Sequence, residues 1–345
     1  MSFSSSAPDP LLFKEEIGFD ADPADEGTRL DTYLARRMRW RSRTSIKKLV
    51  QEGLVSITRQ GERRVVKKAS AVLCGGDAIA VTLPRPKRDI DFGEEGPPPD
   101  PDLPVLYEDR WLVAVDKPPN VPVHPAGRNL YRTVITTLHR RYRRPDDPER
   151  DIVPKLCHRL DLETSGVLLV AKDDRAHRDV SKLFRDRVPE KEYLAVVRGT
   201  PDPPEGLIDK PLGPALGMQV AMARGVRWDV GQEARTRYRV ESTHGDFSVL
   251  RIELLTGRHH QIRVHCASID HPLVGDKIYG GDEGLFLKYY DDALTDEDFE
   301  RLLLPRQALH SHRLVLDHPI TKERLELESP LPKDLREFVD AQGSA

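Results

Sequence analysis

The chain lacks the features that would place it in a membrane or an oxidising compartment. Nowhere in its 345 residues is there an apolar run of the ~18 residues that a membrane-spanning helix needs. The opening MSFSSSAPDPLLFKEE has neither a basic start nor an apolar core, so no secretory signal is expected. Cysteine is scarce: Cys74, Cys157 and Cys266 are odd in number and far apart, which argues against a disulfide framework and a zinc cluster. The expected compartment is the cytoplasm. The patterns GxGxxG and GxxxxGK[ST] are missing, so nothing points to a dinucleotide or ATP site. Internal repeats are missing too.

What the chain does have is an uneven distribution of charge. The formal net charge is only −3, yet residues 29–68 hold thirteen arginines and lysines against Asp31, Glu52 and Glu62. Such a local excess is the electrostatic footprint of phosphate binding, and it exceeds what solubility alone requires. In the same segment Leu30, Tyr33, Leu34 and Met38 recur at helical spacing, with arginines on the opposite face. A second short helix follows, with Ser42 as N-cap, Ile46, Leu49 and Val50 as apolar stripe and Gly53 as stop. Residues 54–57 and 78–83 read as strands around a Gly75-Gly76-Asp77 turn. Arg41, Arg43, Lys47 and Lys48 are the expected phosphate contacts.

Four segments follow from this pattern: an acidic arm (1–26), the basic module (27–84), a proline-rich linker (85–104) and a larger domain (105–338). Pro97-Pro98-Pro99 fits neither a helix nor a sheet ladder. In the larger domain residues 111–115, 166–171 and 193–197 are short apolar runs. Ala234, Thr236, Tyr238 and Val240 alternate with Arg235, Arg237, Arg239 and Glu241, a strand with one wet face. Leu250, Ile252 and Leu254 suggest its partner across a turn at His244-Gly245-Asp246. Strand meanders with scattered helices predict an α+β fold rather than a βαβ nucleotide-binding one.

Two stretches carry chemistry. HRLDLETSGVLLVAK (158–172) sets Arg159, Asp161, Glu163, Thr164 and Ser165 at the mouth of an apolar strand, where a reactive group can be held rigidly. Alone, it reads equally well as a hydrogen-bonded turn in which Gly166 allows the bend. TGRHHQIRVHCASIDHPLVGDKIYG (256–280) gathers Arg258, His259, His260, Arg263 and His265. A cation beside a buried aspartate keeps it ionised. The histidines invite a metal reading, but no HExxH or Cys/His pattern accompanies them, and structural or RNA-facing histidines are the commoner case.

Together these stretches resemble the RluA/RluD-type pseudouridine synthases, which modify ribosomal and some transfer RNA. DKPPNVPVHPAG (116–127), HRLDLETSG (158–166), KEYLAVVRG (191–199) and LLTGRHHQIRVH…HPLVGDKIYG (254–280) match in order. LHSHRLVLDHP…LESPLP (309–332) is similar to the family's closing strands, and residues 27–84 resemble an S4 RNA-binding domain. The resemblance implies a small S4-like α/β module followed by a mixed, mainly antiparallel catalytic sheet. It implies Asp161 as the catalytic aspartate, Tyr193 as the tyrosine packed on the target base, and Arg263 as the partner of Asp161. Arg159 matches the arginine that fills the gap left by the extruded nucleotide, and Arg258 and His260 join it as RNA-facing residues. His259 stands where Thr or Ser is more usual, and Asp270 where Gly is common. Residues 282–307 look like an insertion whose acidic helix covers a surface.

The implied reaction cleaves an N-glycosidic bond, turns the uracil and joins its C5 to the sugar. It involves no redox change and no group activation, so neither cofactor nor metal is expected. A glycosidase would need a second carboxylate as acid. Glu163 is a poor candidate for that role and is expected to face solvent or backbone. The expected partner is RNA: ribosomal in view of the S4-like module, with transfer RNA as the alternative. A monomer with no membrane partner is expected. The rivals are a non-catalytic S4-type RNA-binding protein and an N-glycosidase that would release free uracil.

Overall fold

The structure is a computed structural model that describes residues 16–38, 43–82, 99–125, 132–144, 147 and 150–343. It divides into two compact units between Pro98 and Pro99. The first holds β1 (Glu16–Asp20), α1 (Leu30–Arg37), α2 (Arg43–Gln51), β2 (Val55–Arg59), β3 (Glu62–Val65) and β4 (Ala78–Thr82). Its antiparallel sheet runs β1-β4-β2-β3. Leu30, Tyr33, Leu34 and Met38 pack with Ile46, Leu49 and Val50 over this sheet, as helical spacing on two amphipathic segments requires. Gly53 ends α2 in a left-handed conformation, φ +75°. Ser42, Arg41 and most of the linker lie outside the described residues.

Two strands of this sheet were not anticipated. Residues 16–20 were read as part of an arm, but β1 pairs with β4, and the Tyr33 hydroxyl donates to the Asp20 carbonyl at 2.7 Å. Only Ile17 and Phe19 alternate in this five-residue strand, too short a pattern to signal a strand. β3 is exposed throughout and therefore has no buried face to betray it. Its charges suit an edge strand, where they discourage pairing with another chain.

The second unit is built on a ten-stranded, mainly antiparallel sheet. In chain order its elements are β5 (Val105–Glu108), β6 (Leu112–Lys117), α3 (Val134–Tyr142), β7 (Lys155–Leu156), β8 (Ser165–Ala171), α4 (Asp174–Arg185), β9 (Glu190–Arg198) and β10 (Glu205–Asp209). There follow β11 (Leu212–Pro214), β12 (Arg224–Val226), β13 (Arg235–His244), β14 (Phe247–Leu254), α5 (Gln261–Ala267), α6 (Gly284–Tyr290) and α7 (Asp296–Leu302). β15 (Leu309–Asp317), β16 (Arg324–Glu328) and α8 (Lys333–Ala341) close the chain. The main path runs β10-β13-β14-β9-β15-β8-β6-β5, and β15 against β8 is its parallel pairing.

The central strands have two buried faces, which is why β8 reads as a continuous apolar run. Val167, Leu169 and Ala171 face Ala176 and Val180 of α4. Leu168 and Val170 face Val134 and Leu138 of α3. β9 divides likewise, with Tyr193, Ala195 and Val197 toward α5 and Leu194 and Val196 toward α8. At the head of β8, Gly166 has φ +105°, and a Cβ there would sit 2.1 Å from the Ser311 carbonyl oxygen. Only glycine permits that approach of β15.

Candidate active site

Asp161 lies in the loop that enters β8, and that loop is clamped from distant parts of the chain. Lys117, fully buried at the end of β6, donates to the carbonyls of Pro118, Val121 and Leu162. Glu163 accepts from Lys277 Nζ at 2.7 Å and from the Gln307 backbone N–H at 2.9 Å. The Gln307 side chain donates to Thr164 Oγ1, Arg306 donates to the Glu163 carbonyl, and Ser165 Oγ meets His310 Nδ1 at 2.9 Å. The turn of short-range hydrogen bonds that the sequence allowed is thus replaced mostly by long-range ones. Glu163 is buried rather than facing solvent. Its carboxylate offsets the cost of burying Lys277.

Asp161 itself keeps 26% of its side chain accessible, which leaves the carboxylate open to a substrate. Arg263 Nη1 stands 3.4 Å from Asp161 Oδ2. Arg263 Nη1 donates to Asp161 Oδ2, and the guanidinium has a second, closer carboxylate partner. The guanidinium gives Nε and Nη2 to Asp276, at 2.7 and 2.8 Å, in a two-pronged pair. Asp276 is closed off entirely and also accepts from the backbone N–H groups of Ile278 and Tyr279. Arg263 is therefore fixed by Asp276, and its third nitrogen faces Asp161.

His260 Nε2 lies 4.0 Å from Asp161 Oδ2. The Tyr279 hydroxyl accepts from the Arg224 N–H at 2.8 Å and lies 2.7 Å from His260 Nδ1. Assigning the hydroxyl proton to that nitrogen satisfies both groups and puts the N–H of a neutral His260 on Nε2, toward Asp161. Burial, with Arg263 beside it, pushes the His260 pKa down to about 3. Burial raises the Asp161 carboxyl, but the imidazoles of His260 and His259 and the guanidinium of Arg263 oppose it and hold it below its ordinary value. Since His260 is uncharged at neutral pH, Arg263 is the cation that maintains the anion.

Tyr193, on β9, is buried among Leu160, Ile252 and Ile262. Burial pushes its phenol up to about 12, against a hydrogen bond with Ser311, so it is neutral. Arg159 is exposed and, with His124, lines an open groove of about 480 Å³ beside the loop. His158 is an internal support: its Nε2 accepts from the Leu169 N–H, and its ring stacks on Phe184.

The cluster 258–265 is split. Arg263, His260 and His259 converge on Asp161, whereas Arg258 donates to the Glu233 carbonyl. His265 is buried between Thr236 Oγ1 and the Lys210 carbonyl. Asp161, His259 and His260 each present a metal-competent atom, all within 4.8 Å. In the first unit Arg43, Lys47 and Lys48 are exposed on α2, opposite its apolar stripe. Arg43 donates to Thr32 Oγ1.

Lys117, Asp276, Lys277, Arg306 and Gln307 went unsingled in the sequence. The signal was there for two of them: Asp276 and Lys277 are adjacent opposite charges inside the apolar stretch LVGDKIYG. Charges in such a setting are buried in pairs. The segment 282–307 does more than cover a surface. Its helices include a covering role, with the Lys277 Nζ 4.7 Å from the Tyr289 ring, but its end runs inward to place Arg306 and Gln307.

The sheet, its clamped aspartate and the cations around it describe a site for a polyanionic substrate. The sequence profile described as RNA pseudouridylate synthase matches residues 111–268, from the edge of β6 through α5. The ribosomal large subunit pseudouridine synthase D of Nitrosomonas europaea is 34% identical over 91% of this chain and 84% of its own length. The chloroplastic RNA pseudouridine synthase 2 of Arabidopsis thaliana is 30% identical over 94% and 82%. Among solved structures, human RNA pseudouridylate synthase domain containing 4 superposes with a TM-score of 0.53. It is 28% identical and covers 69% of this chain and 92% of that one. The chain belongs to the RluA/RluD-type RNA pseudouridine synthases. It is an isomerase that acts on RNA.

Proposed function

We propose that this enzyme isomerises uridines of large-subunit ribosomal RNA, with Asp161 as the catalytic residue. The observation that carries the reading is the Asp161 carboxylate: partly accessible at the mouth of a buried strand, and kept anionic by an arginine that Asp276 locks in place. The names of several relatives, ribosomal large subunit pseudouridine synthase D, support the choice of RNA. The target base is extruded from its stack, at a cost of a few kcal/mol. Tyr193 offers a face against which it packs, and Arg159 projects into the vacated space. Asp161 then acts on the sugar, as nucleophile at C1′ or as base at C2′. Both routes begin from the anion, which is the state the surroundings favour. The N1–C1′ bond breaks, the uracil turns, C5 bonds to C1′, the C5 proton is lost to solvent and N1 takes one up. The exposed cations of α2 in the S4-like unit hold the RNA backbone without reading sequence.

The test is tritium release from RNA labelled at uracil C5. Asp161→Asn is isosteric and should lower single-turnover release by about 10²–10⁴-fold or more, with RNA affinity close to wild type. Retention of a tenth of wild-type turnover would remove Asp161 from the chemistry.

A further inference from the structure

Asp161, His259 and His260 place one carboxylate oxygen and two imidazole nitrogens within 4.8 Å of one another. This is a donor set for borderline dications such as Zn²⁺, Ni²⁺, Cu²⁺ and Co²⁺, and a poor one for Mg²⁺. The geometry around it is built rather than accidental. His260 adopts a left-handed conformation, φ 60°, and its ring centroid lies 3.9 Å from that of His259. Tyr279 holds His260 Nδ1 at 2.7 Å and thereby directs Nε2 toward Asp161 at 4.0 Å. When a metal takes the Nε2 lone pair, the imidazole proton moves to Nδ1 and donates to the Tyr279 hydroxyl, the outer hydrogen bond that fixes a metal-binding imidazole. Ligand atoms on a tetrahedral zinc stand about 3.3 Å apart, so side-chain rotations of under about 1 Å close the set. The charge also allows a cation, because Arg263 is one positive group between two carboxylates, Asp161 and Asp276. That guanidinium competes for Asp161, which makes the site exchangeable rather than permanent.

We propose that a transition-metal dication binds Asp161, His259 and His260 in the RNA-free enzyme and inhibits it by occupying the aspartate. The inhibition rests on the catalytic reading of Asp161, whereas the binding does not. Two measurements on the full chain keep these apart: Co²⁺ titration of RNA-free protein followed by visible absorbance, and Zn²⁺ titration of the tritium-release assay. Wild-type protein should develop Co²⁺ d–d bands, lose activity to Zn²⁺ but not to equal Mg²⁺, and recover on chelation. His259→Ser should raise the concentrations for half-occupancy and half-inhibition by at least about tenfold. If wild-type protein gives no Co²⁺ bands, or if His259→Ser binds and is inhibited like wild type, the site is overturned. Bands that require His259, with turnover indifferent to Zn²⁺, would uphold the site and overturn its inhibitory role.

Discussion

The guanidinium of Arg263 serves two carboxylates, and their different exposure gives its removal two opposite signatures. In Arg263→Met, Asp161 and Asp276 both lose the cation that opposes burial, so both carboxyl pKa values rise. On the proposed role of Asp161, which reacts as the anion, activity at neutral pH should fall and its acidic limb should move to higher pH. Stability moves the other way. In the wild type, the depressed pKa of Asp276 contributes stability present above its unfolded value and lost as pH falls through the folded one. In the variant, with the folded pKa above the unfolded one, stability is retained at low pH and lost as pH rises through the new folded value. Breaking a pair this buried costs about 3–5 kcal/mol. Arg263→Lys keeps the charge, loses the planar fork and should fall between. The checks are single-turnover rate and thermal midpoint against pH. A wild-type pH profile merely scaled down would show that Arg263 does not control the ionisation of Asp161.

Gln307 is a second residue whose effect is indirect. Gln307→Ala removes the side-chain bond to Thr164 and leaves the backbone bond to Glu163. The stability loss should be about 0.5–1.5 kcal/mol, but kcat should fall by roughly tenfold or more with RNA affinity unchanged, because small displacements of a reacting group are costly. A lower melting temperature with wild-type kcat would make the contact purely structural.

Among the elements, legibility followed burial pattern. β8 was readable because both its faces are covered, and the β13–β14 hairpin because Thr236 and Tyr238 point inward while Arg235, Arg237 and Arg239 do not. β1 was hidden by the shortness of its alternation, Ile17 and Phe19 alone, and β3 by having no buried face. The placement of Asp161 ahead of a rigid strand, and of a nearby arginine, was legible from two motifs. The identity of the arginine's main partner was not, since side-chain pairing across folded segments leaves no periodic trace. The segment 282–307 shows the same limit. Its acids at Asp296, Glu297 and Asp298 sit in the first turn of α7, where they suit the helix dipole. Nothing in their spacing foretold that Arg306 would reach the Glu163 carbonyl.

At the scale of the whole molecule, the division at Pro98 separates the cations of α2 from Asp161. Replacing exposed Arg43, Lys47 and Lys48 together by Ala should weaken RNA binding without touching the site. Each lost phosphate contact lowers the slope of log K against log salt by about 0.7–0.9, so three contacts change it by about 2–3. Single-turnover rate on saturating RNA should stay near wild type. An unchanged slope would mean that this face does not meet the phosphate backbone.

The clamp on the Asp161 loop also has a consequence in time. Its parts are Lys117, then Lys277, then Arg306 and Gln307, and the β15 strand that Gly166 admits comes later still. Contacts between residues this far apart in sequence form late, after the loop-closure entropy has been met. During translation Lys117 comes out ahead of Asp161, whereas Lys277, Arg306 and Gln307 follow it. A chain stopped short of Arg306 lacks the bonds from Arg306 and Gln307 to Glu163 and Thr164, so the loop around Asp161 is expected to stay loose until that segment has been made.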